Sequence, residues 1–313
     1  MNLFRDLNQL PELFRRGAVS VGNFDGVHLG HARIVERLLA VARRVQGPAI
    51  AFTFDPHPGR ILRPEAAPAP ISWTQRKAEL LGQLGVDAVI AYPTDRAFLG
   101  LDAREFFDRI LRDRLSAKAL VEGPNFFFGR GRGGTIDVLR RLCVEENVIL
   151  EVVSPLQIGD AVVSSSRIRR LITAGRVEEA QSLLGRPYRI RGTVVPGARR
   201  GAKLGYPTAN VGGIDTLLPS DGIYAGLAWV DGMSWPAALS VGANPTFDET
   251  TLKVEAYLIG YEGSLYERTI EVDFLARLRD IERFGSVDEL VAQVDCDVAA
   301  TREIVREHQG QQG

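Results

Sequence analysis

GNFDGVHLGH, residues 22–31, stands between the apolar run AVSV at 18–21 and the amphipathic run ARIVERLLAVARRV at 32–45. Strand, glycine-rich turn and helix in that order open a parallel α/β unit, and they turn free backbone N–H groups and the positive helix end toward an anion. His28 and His31 sit at i and i+3 on one side of the helix entry, so both rings can reach one ligand. Neutral imidazole donates hydrogen bonds without a permanent charge, which suits a phosphate whose negative charge grows during reaction. A solvated turn with Gly30 as helix punctuation fits the same residues equally well.

Working outward, AIAFTF, AVIAY, AKALVEG and ILEVVSP read as further buried strands, and WTQRKAELLGQLG, AREFFDRILRDRL and TIDVLRRLCVEEN as helices between them. Five apolar strands alternating with amphipathic helices predict a parallel sheet covered on both faces, with ligands at the carboxyl ends of the strands. In the helix after the opening turn, Ile34, Leu38, Ala42 and Val45 form the apolar stripe. RIRRLITAG and VEEAQSLLG close this half. From about residue 186 the text turns β-rich: YRIRGTVV, GIYAGLAWV, SWPAALSVG, KVEAYLIGY and TIEVDFLARL, with an Asp231-Gly232 hairpin signal. That pattern predicts a small antiparallel barrel, followed by a terminal helix capped by Ser286 and Glu289 with Leu290, Val294 and Val298 on one face. The expected domains are 1–185 and 186–313.

Length and composition agree with two soluble domains. The 313 residues are 45% hydrophobic and 25% charged, and no apolar run approaches the roughly 20 residues that span a bilayer. MNLFRDLNQLPELFRRG lacks the apolar core of an export signal, so the cytoplasm is the expected location. Net charge is +4 over the first half and −5 over the second, too weak a footprint for nucleic acid but compatible with a small anionic ligand. Only four of the 38 basic residues are lysine, so arginine is the expected cation in any site. Cys143 and Cys296 lack metal spacing and read as buried free thiols.

GRGRGG at 129–134 satisfies GxGxxG with Glu151 about 20 residues on, but it does not follow the first strand, where a dinucleotide fingerprint belongs. A phosphate-side loop or a plain surface loop accounts for it as well. GARRGAKLGYPTAN at 197–210 has the wrong spacing to Lys203 for a P-loop. In PTAN, Thr208 and Asn210 present oxygens at alternate positions of an expected strand, as a hard cation requires, although a strand entry at a proline reads the same way. Glu255, on an alternating strand, reads by itself as a solvated face residue.

GNFDGVHLGH resembles the HxGH signature of the nucleotidylyltransferase superfamily and, with its FDG lead-in, the bacterial bifunctional riboflavin kinase/FAD synthetases. TFDPHP at 53–58, VEGPNFFFG at 121–129, SSSRIR at 164–169, the PTAN flap, GIYAG at 222–226, NPTF at 244–247 and LRDIERF at 278–284 follow in family order. The resemblance implies a Rossmann-like nucleotidylyltransferase domain and a riboflavin kinase barrel, which make FMN from riboflavin and ATP, and FAD from FMN and ATP, with Mg²⁺. It implies ATP contacts at Gly22, Phe24, Asp25, Gly26, His28 and His31, leaving-group support from Ser165, Ser166 and Arg169, and flavin contacts at Asp55 and Asn125. In the kinase half it implies ATP contacts at Gly201 and Lys203, metal ligands at Thr208 and Asn210, and Glu255 as the base. Ser166 stands where the family usually has threonine. Gly260 and Ser264 replace aspartates, Glu267 replaces a glycine and Ala202 an arginine, departures that bear on kinase affinity. An adenylyltransferase with a drifted kinase half, or a flavin-binding regulatory protein without turnover, are the alternatives. A monomer or weak homo-oligomer is expected, with no membrane or nucleic-acid partner.

Overall fold

The computed structural model describes residues 2–197, 200–243 and 253–310, the side chains of Arg200 and Lys203 excepted. By compactness the chain divides into 1–68 with 72–164, and 69–71 with 165–313.

The first unit holds a six-stranded sheet in the order β1-β4-β3-β2-β5-β6. Its strands are β1 (Asn2–Phe4), β2 (Ala18–Val21), β3 (Ala49–Asp55), β4 (Ala88–Pro93), β5 (Ala119–Glu122) and β6 (Ile149–Val152), and every pairing is parallel. β1 is the strand that sequence reading passed over: three residues beside charged neighbours carry little periodicity, yet Asn2, Leu3 and Phe4 pair with Ala88, Val89 and Ile90. Alternate strand residues serve opposite faces. Val19, Val21, Ile50 and Phe52 meet Phe106, Phe107, Leu111 and Leu139 on one side. Ala18, Ala49, Ala51 and Ala119 line the other, where small side chains admit Val35, Leu38 and Val41 of helix Leu29–Val45 and Leu81 of helix Thr74–Gln83. The segment expected as one helix over AREFFDRILRDRL begins as α-helix at Ala103 and continues as π-helix over Phe107–Arg114. A short ribbon, β7 (Gln157–Ile158) with β8 (Ala161–Val162), completes the unit.

From β2 the chain winds one way through β3 to β4, then crosses back to β5 on the other side of β2. This is the topological switch point of the sheet, and residues 22–28 emerge there.

The second unit is a closed antiparallel barrel in the order β10-β13-β12-β11-β14-β9. Its strands are β9 (Tyr188–Val195), β10 (Ala209–Gly212), β11 (Gly222–Val230), β12 (Met233–Gly242), β13 (Lys253–Leu258) and β14 (Thr269–Arg279). Asp231 and Gly232 turn the β11–β12 hairpin with φ of 49° and 80°, the paired left-handed conformation their residue types favour. Helices Ser165–Thr173 and Val177–Leu184 are compact with this unit: Glu178 Oε1 accepts from the Arg277 N–H at 3.0 Å, and Gly175 lies against Ser220, Arg277 and Tyr224. The terminal helix, Val287–Gly310, buries Val298, Thr301 and Val305, and its Asp297 takes a two-pronged bond from Arg279. Its N-terminal cap is half of the expected box: Ser286 Oγ accepts from the Glu289 N–H, while the Glu289 carboxylate reaches the Gly285 N–H instead. Cys143 is buried, but Cys296 is exposed, correcting the expectation for the second thiol, because its helix turns that face to solvent. The NPTF segment lies outside the described residues.

Candidate active sites

Residues 22–28 form a tight, strained loop. Phe24, Gly26 and Val27 all have positive φ, at 45°, 79° and 38°. Only Gly26 tolerates this freely; the bulky Phe24 and β-branched Val27 do so at a cost of about 1–3 kcal/mol each. Their burial, at 2% and 3% exposure, supplies the compensating packing. Such strain at a loop mouth marks a conformation held for use. Gly22 anchors the loop through its N–H to the Phe52 carbonyl at 2.9 Å. Asp25 is buried and accepts from the Ser72 N–H at 3.1 Å and the Ser72 hydroxyl at 3.4 Å, while that hydroxyl accepts from the Gly26 N–H at 3.0 Å.

His28 is the N-cap of helix Leu29–Val45. Its Nδ1 accepts from the His31 N–H at 3.3 Å. With Nδ1 used as an acceptor, the neutral ring carries its proton on Nε2. The rings of His28 and His31 stack at 3.7 Å and 15°, and Phe24 packs against His31 at 5.2 Å. Gly30 leaves room for this arrangement, since a Cβ there would come within 3.1 Å of the His28 ring and 3.3 Å of the Val163 carbonyl.

Two buried ionisable groups that sequence reading missed stand behind the loop. Lys77, 7% exposed on helix Thr74–Gln83, donates to Thr53 Oγ1 at 3.3 Å. Burial lowers its pKa, opposed by the fields of Asp25 and Asp55. A lysine beside Ala78 and Leu81 on the core face, in a chain with four lysines, was the available signal; the preference for arginine concealed it. Glu122 ends β5. Backbone pairing of β2 with β5 covers Ala18 and Val19, and the Glu122 carboxylate takes the Val21 N–H at 2.7 Å beyond it. Burial pushes this carboxyl well above its usual range, with the Val21 N–H acting in the opposite direction. Burial and Glu122 together push the Cys143 thiol up to about 12, which leaves it unreactive.

Asp55 ends β3 and Asn125 follows β5, on the same edge of the parallel sheet as the 22–28 loop. Asp55 pairs with Arg5 at 2.6 Å, and Asn125 is exposed. An aromatic chain runs from β3 to the loop after β5: Phe52 stacks on Tyr92, Tyr92 contacts Phe98 at 4.5 Å, Phe106 lies 5.9 Å from both Phe98 and Phe128, and Phe126 stacks on Phe128 at 5.3 Å. GRGRGG is a turn, with Gly129, Gly131 and Arg132 at positive φ and the Arg132 guanidinium 4.3 Å over the exposed Phe127 ring.

Ser165, Ser166 and Arg169 belong to the second unit, where they open helix Ser165–Thr173. Arg169 Nε donates to the Ala69 carbonyl at 3.2 Å. In the barrel, Asn210 of β10 is the register partner of Glu255 of β13, and Ser240 of β12 flanks Glu255 on its other side. Thr208, expected on the same strand, lies just before β10, which begins at Ala209. Gly201 turns the preceding flap so closely that a Cβ would meet the Tyr206 carbonyl at 2.4 Å. The Lys203 side chain lies outside the described residues. Gly260 has φ of 83° and Glu267 of 64°, so Glu267 holds a left-handed conformation that favours glycine. Among the described residues, no group of three or more His, Cys, Asp or Glu could hold a metal, so a cation here would depend on hydroxyl and amide oxygens.

Comparison with known proteins places these features in a family. Residues 11–167 match the FAD synthetase family and residues 184–305 the riboflavin kinase family. The bifunctional riboflavin kinase/FMN adenylyltransferase of Pseudomonas fluorescens is 36% identical over 303 residues, covering 96% of this chain and 97% of that one. The protein of the same name from Escherichia coli K12 is 32% identical, covering 97% of each. A crystal structure from Streptococcus pneumoniae, described as a macrolide-efflux protein, aligns at a TM-score of 0.85 with 31% identity over 96% of this chain and 98% of its own. That description applies to the neighbour; among the described residues here, no helix is long and apolar enough to cross a membrane. With both family models matched in order, and relatives above 30% identity along nearly the whole length, the chain belongs to the bifunctional riboflavin kinase/FMN adenylyltransferase family.

Proposed function

We propose that this chain makes FAD in two steps: riboflavin and ATP give FMN and ADP in the domain 186–313, and FMN and ATP give FAD and pyrophosphate in the domain 1–185. The observation that carries the second step is the stacked His28–His31 pair capping a helix at the switch point of the sheet. FMN ends in an anionic phosphate and attacks the α-phosphorus of ATP without a general base. What that step needs is alignment of anions and stabilisation of charge on the departing pyrophosphate. Gly22, Phe24, Asp25 and Gly26 form the ATP-side loop, His28 supplies Nε2–H, and His31 a second ring. Ser165, Ser166 and Arg169 serve the leaving group, and Asp55 and Asn125 the flavin.

Riboflavin differs because its 5′-hydroxyl must lose a proton to attack the γ-phosphorus. Glu255 accepts that proton. Asn210, beside Glu255 by register, and Thr208, just before the same strand, offer an amide oxygen and a hydroxyl, a donor set suited to Mg²⁺. When bound, Mg²⁺ offsets negative charge on the nucleotide phosphates; Gly201 and Lys203 belong to the flap on the ATP side. The cytoplasm is the proposed location, with a monomer or weak homo-oligomer as the working form and small molecules as its partners.

Incubation with riboflavin, ATP and Mg²⁺, followed by chromatographic separation of the flavins, tests the whole reading. Conversion of riboflavin to FAD is expected. Glu255→Gln should lower FMN formation by roughly 10²- to 10⁴-fold while supplied FMN still becomes FAD. Bound but unchanged flavin would leave a binding protein, and FAD from FMN alone an adenylyltransferase.

A further inference from the structure

Helix Thr74–Gln83 turns Lys77, Ala78, Leu80 and Leu81 into the core. Taking an ammonium out of water costs several kcal/mol unless fixed partners replace the solvent. Lys77 has such partners, and they connect to the ATP loop. Its Nζ donates to Thr53 Oγ1 at 3.3 Å, and Thr53, fully buried, donates to the Asn23 carbonyl at 3.1 Å. An ammonium has only donors, so the direction of this relay is set: Lys77 to Thr53 to Asn23. Asp25, buried on the same loop, and Asp55, at the end of β3, are the carboxylates whose fields act on Lys77.

A buried carboxylate inside a loop that faces polyphosphate would repel its ligand unless another charge offset it. We propose that Lys77 is a positioning residue for adenylyl transfer: from behind the loop its ammonium offsets the charge of Asp25 and, through Thr53, holds the Asn23 backbone, so that residues 22–28 keep the conformation that faces ATP. This deepens the assignment of that loop to ATP and rests on it. A lysine with a purely packing role would leave nucleotide affinity untouched.

The test is steady-state FMN-to-FAD kinetics on the full-length chain, with ATP and FMN varied separately. The unmodified chain must first make FAD, so a wrong assignment of the loop appears there, and a wrong role for Lys77 only in the variants. Lys77→Met removes charge and donor at similar length; KM for ATP should rise about 10- to 100-fold, the worth of a charge-assisted bond. Adding Asp25→Asn, which keeps the oxygen that accepts from Ser72, should recover at least tenfold of that loss. Thr53→Val keeps the charge and cuts the relay; a rise in KM for ATP of about three- to tenfold is expected, and it carries the test if Lys77→Met does not fold. An unchanged KM for ATP in Lys77→Met or Thr53→Val overturns the proposal, even if kcat falls, because partial unfolding lowers kcat alone. Failure of Asp25→Asn to recover any affinity overturns it as well.

Discussion

His28 has two jobs that one pair of substitutions can separate. Its Nδ1 caps the helix by accepting the His31 N–H, and its ring stacks on His31 at 3.7 Å. Its Nε2–H is the donor assigned to ATP. Alanine loses all three features. An N-cap is worth about 1 kcal/mol and an aromatic pair about 0.5–1.5 kcal/mol, so His28→Ala should cost about 2 kcal/mol of stability. Asparagine is among the best N-cap residues, so His28→Asn keeps the cap, loses the stack and should cost about 1 kcal/mol. In a unit of this size each kcal/mol lowers Tm by about 2–4 °C, and the two variants should differ by that amount. Their rates should not differ. Each lacks the Nε2–H, and loss of one preorganised donor typically costs about 10²- to 10³-fold, so conversion of FMN to FAD should fall equally in both. Thermal melts and chromatographic assay of FAD at saturating ATP provide the two measurements, with FMN formation from riboflavin as the internal control. If His28→Asn kept FAD synthesis within tenfold of the unmodified chain, His28 would be only a helix cap.

Three further outcomes follow from the same geometry. Glu122 is raised in the folded state, so its contribution favours the folded chain at low pH and is lost as pH rises above its ordinary 4.5 toward the folded value; Glu122→Gln, which keeps the acceptor for Val21, should therefore gain stability over the unmodified chain by about 1.4 kcal/mol per pH unit in that window, read by urea unfolding with hydrogen exchange at β2 and β5, and a pH-independent difference would contradict the burial argument. Glu267→Gly should stabilise the barrel by about 0.5–1 kcal/mol, because an exposed side chain at φ 64° is strained where glycine is not; a lower melting temperature would show that the side chain is held for another reason. Chelation of Mg²⁺ should stop both transfers, and Thr208→Ala should impair FMN formation alone, so full kinase activity in that variant would remove Thr208 from the metal site.

Local chemistry was legible in the sequence wherever a rule acts within a few residues. Period-two and period-3.6 patterns located five strands of the sheet, all six strands of the barrel once PTAN is counted, and the longer helices between, but not the short helices Pro58–Leu62 and Arg96–Leu99. Asp231-Gly232 announced its hairpin because a turn of two left-handed residues matches strand twist and these residue types adopt it readily. The HxGH stretch was legible because glycine and histidine at a helix entry are a local arrangement, although its phosphate role came from resemblance to a family and not from spacing. Tertiary structure decided what depends on long-range neighbours. β1 exists because β4 offers it an edge, not because NLF favours a strand. Helices 165–173 and 177–184 follow the sheet in sequence yet pack with the barrel. Lys77 and Glu122 look like surface charges in one dimension; their burial follows from Thr53, Asn23 and Val21 standing opposite them, residues 24 to 101 positions away. Charge burial is a property of three-dimensional surroundings, and a linear sequence records the group without the dielectric around it.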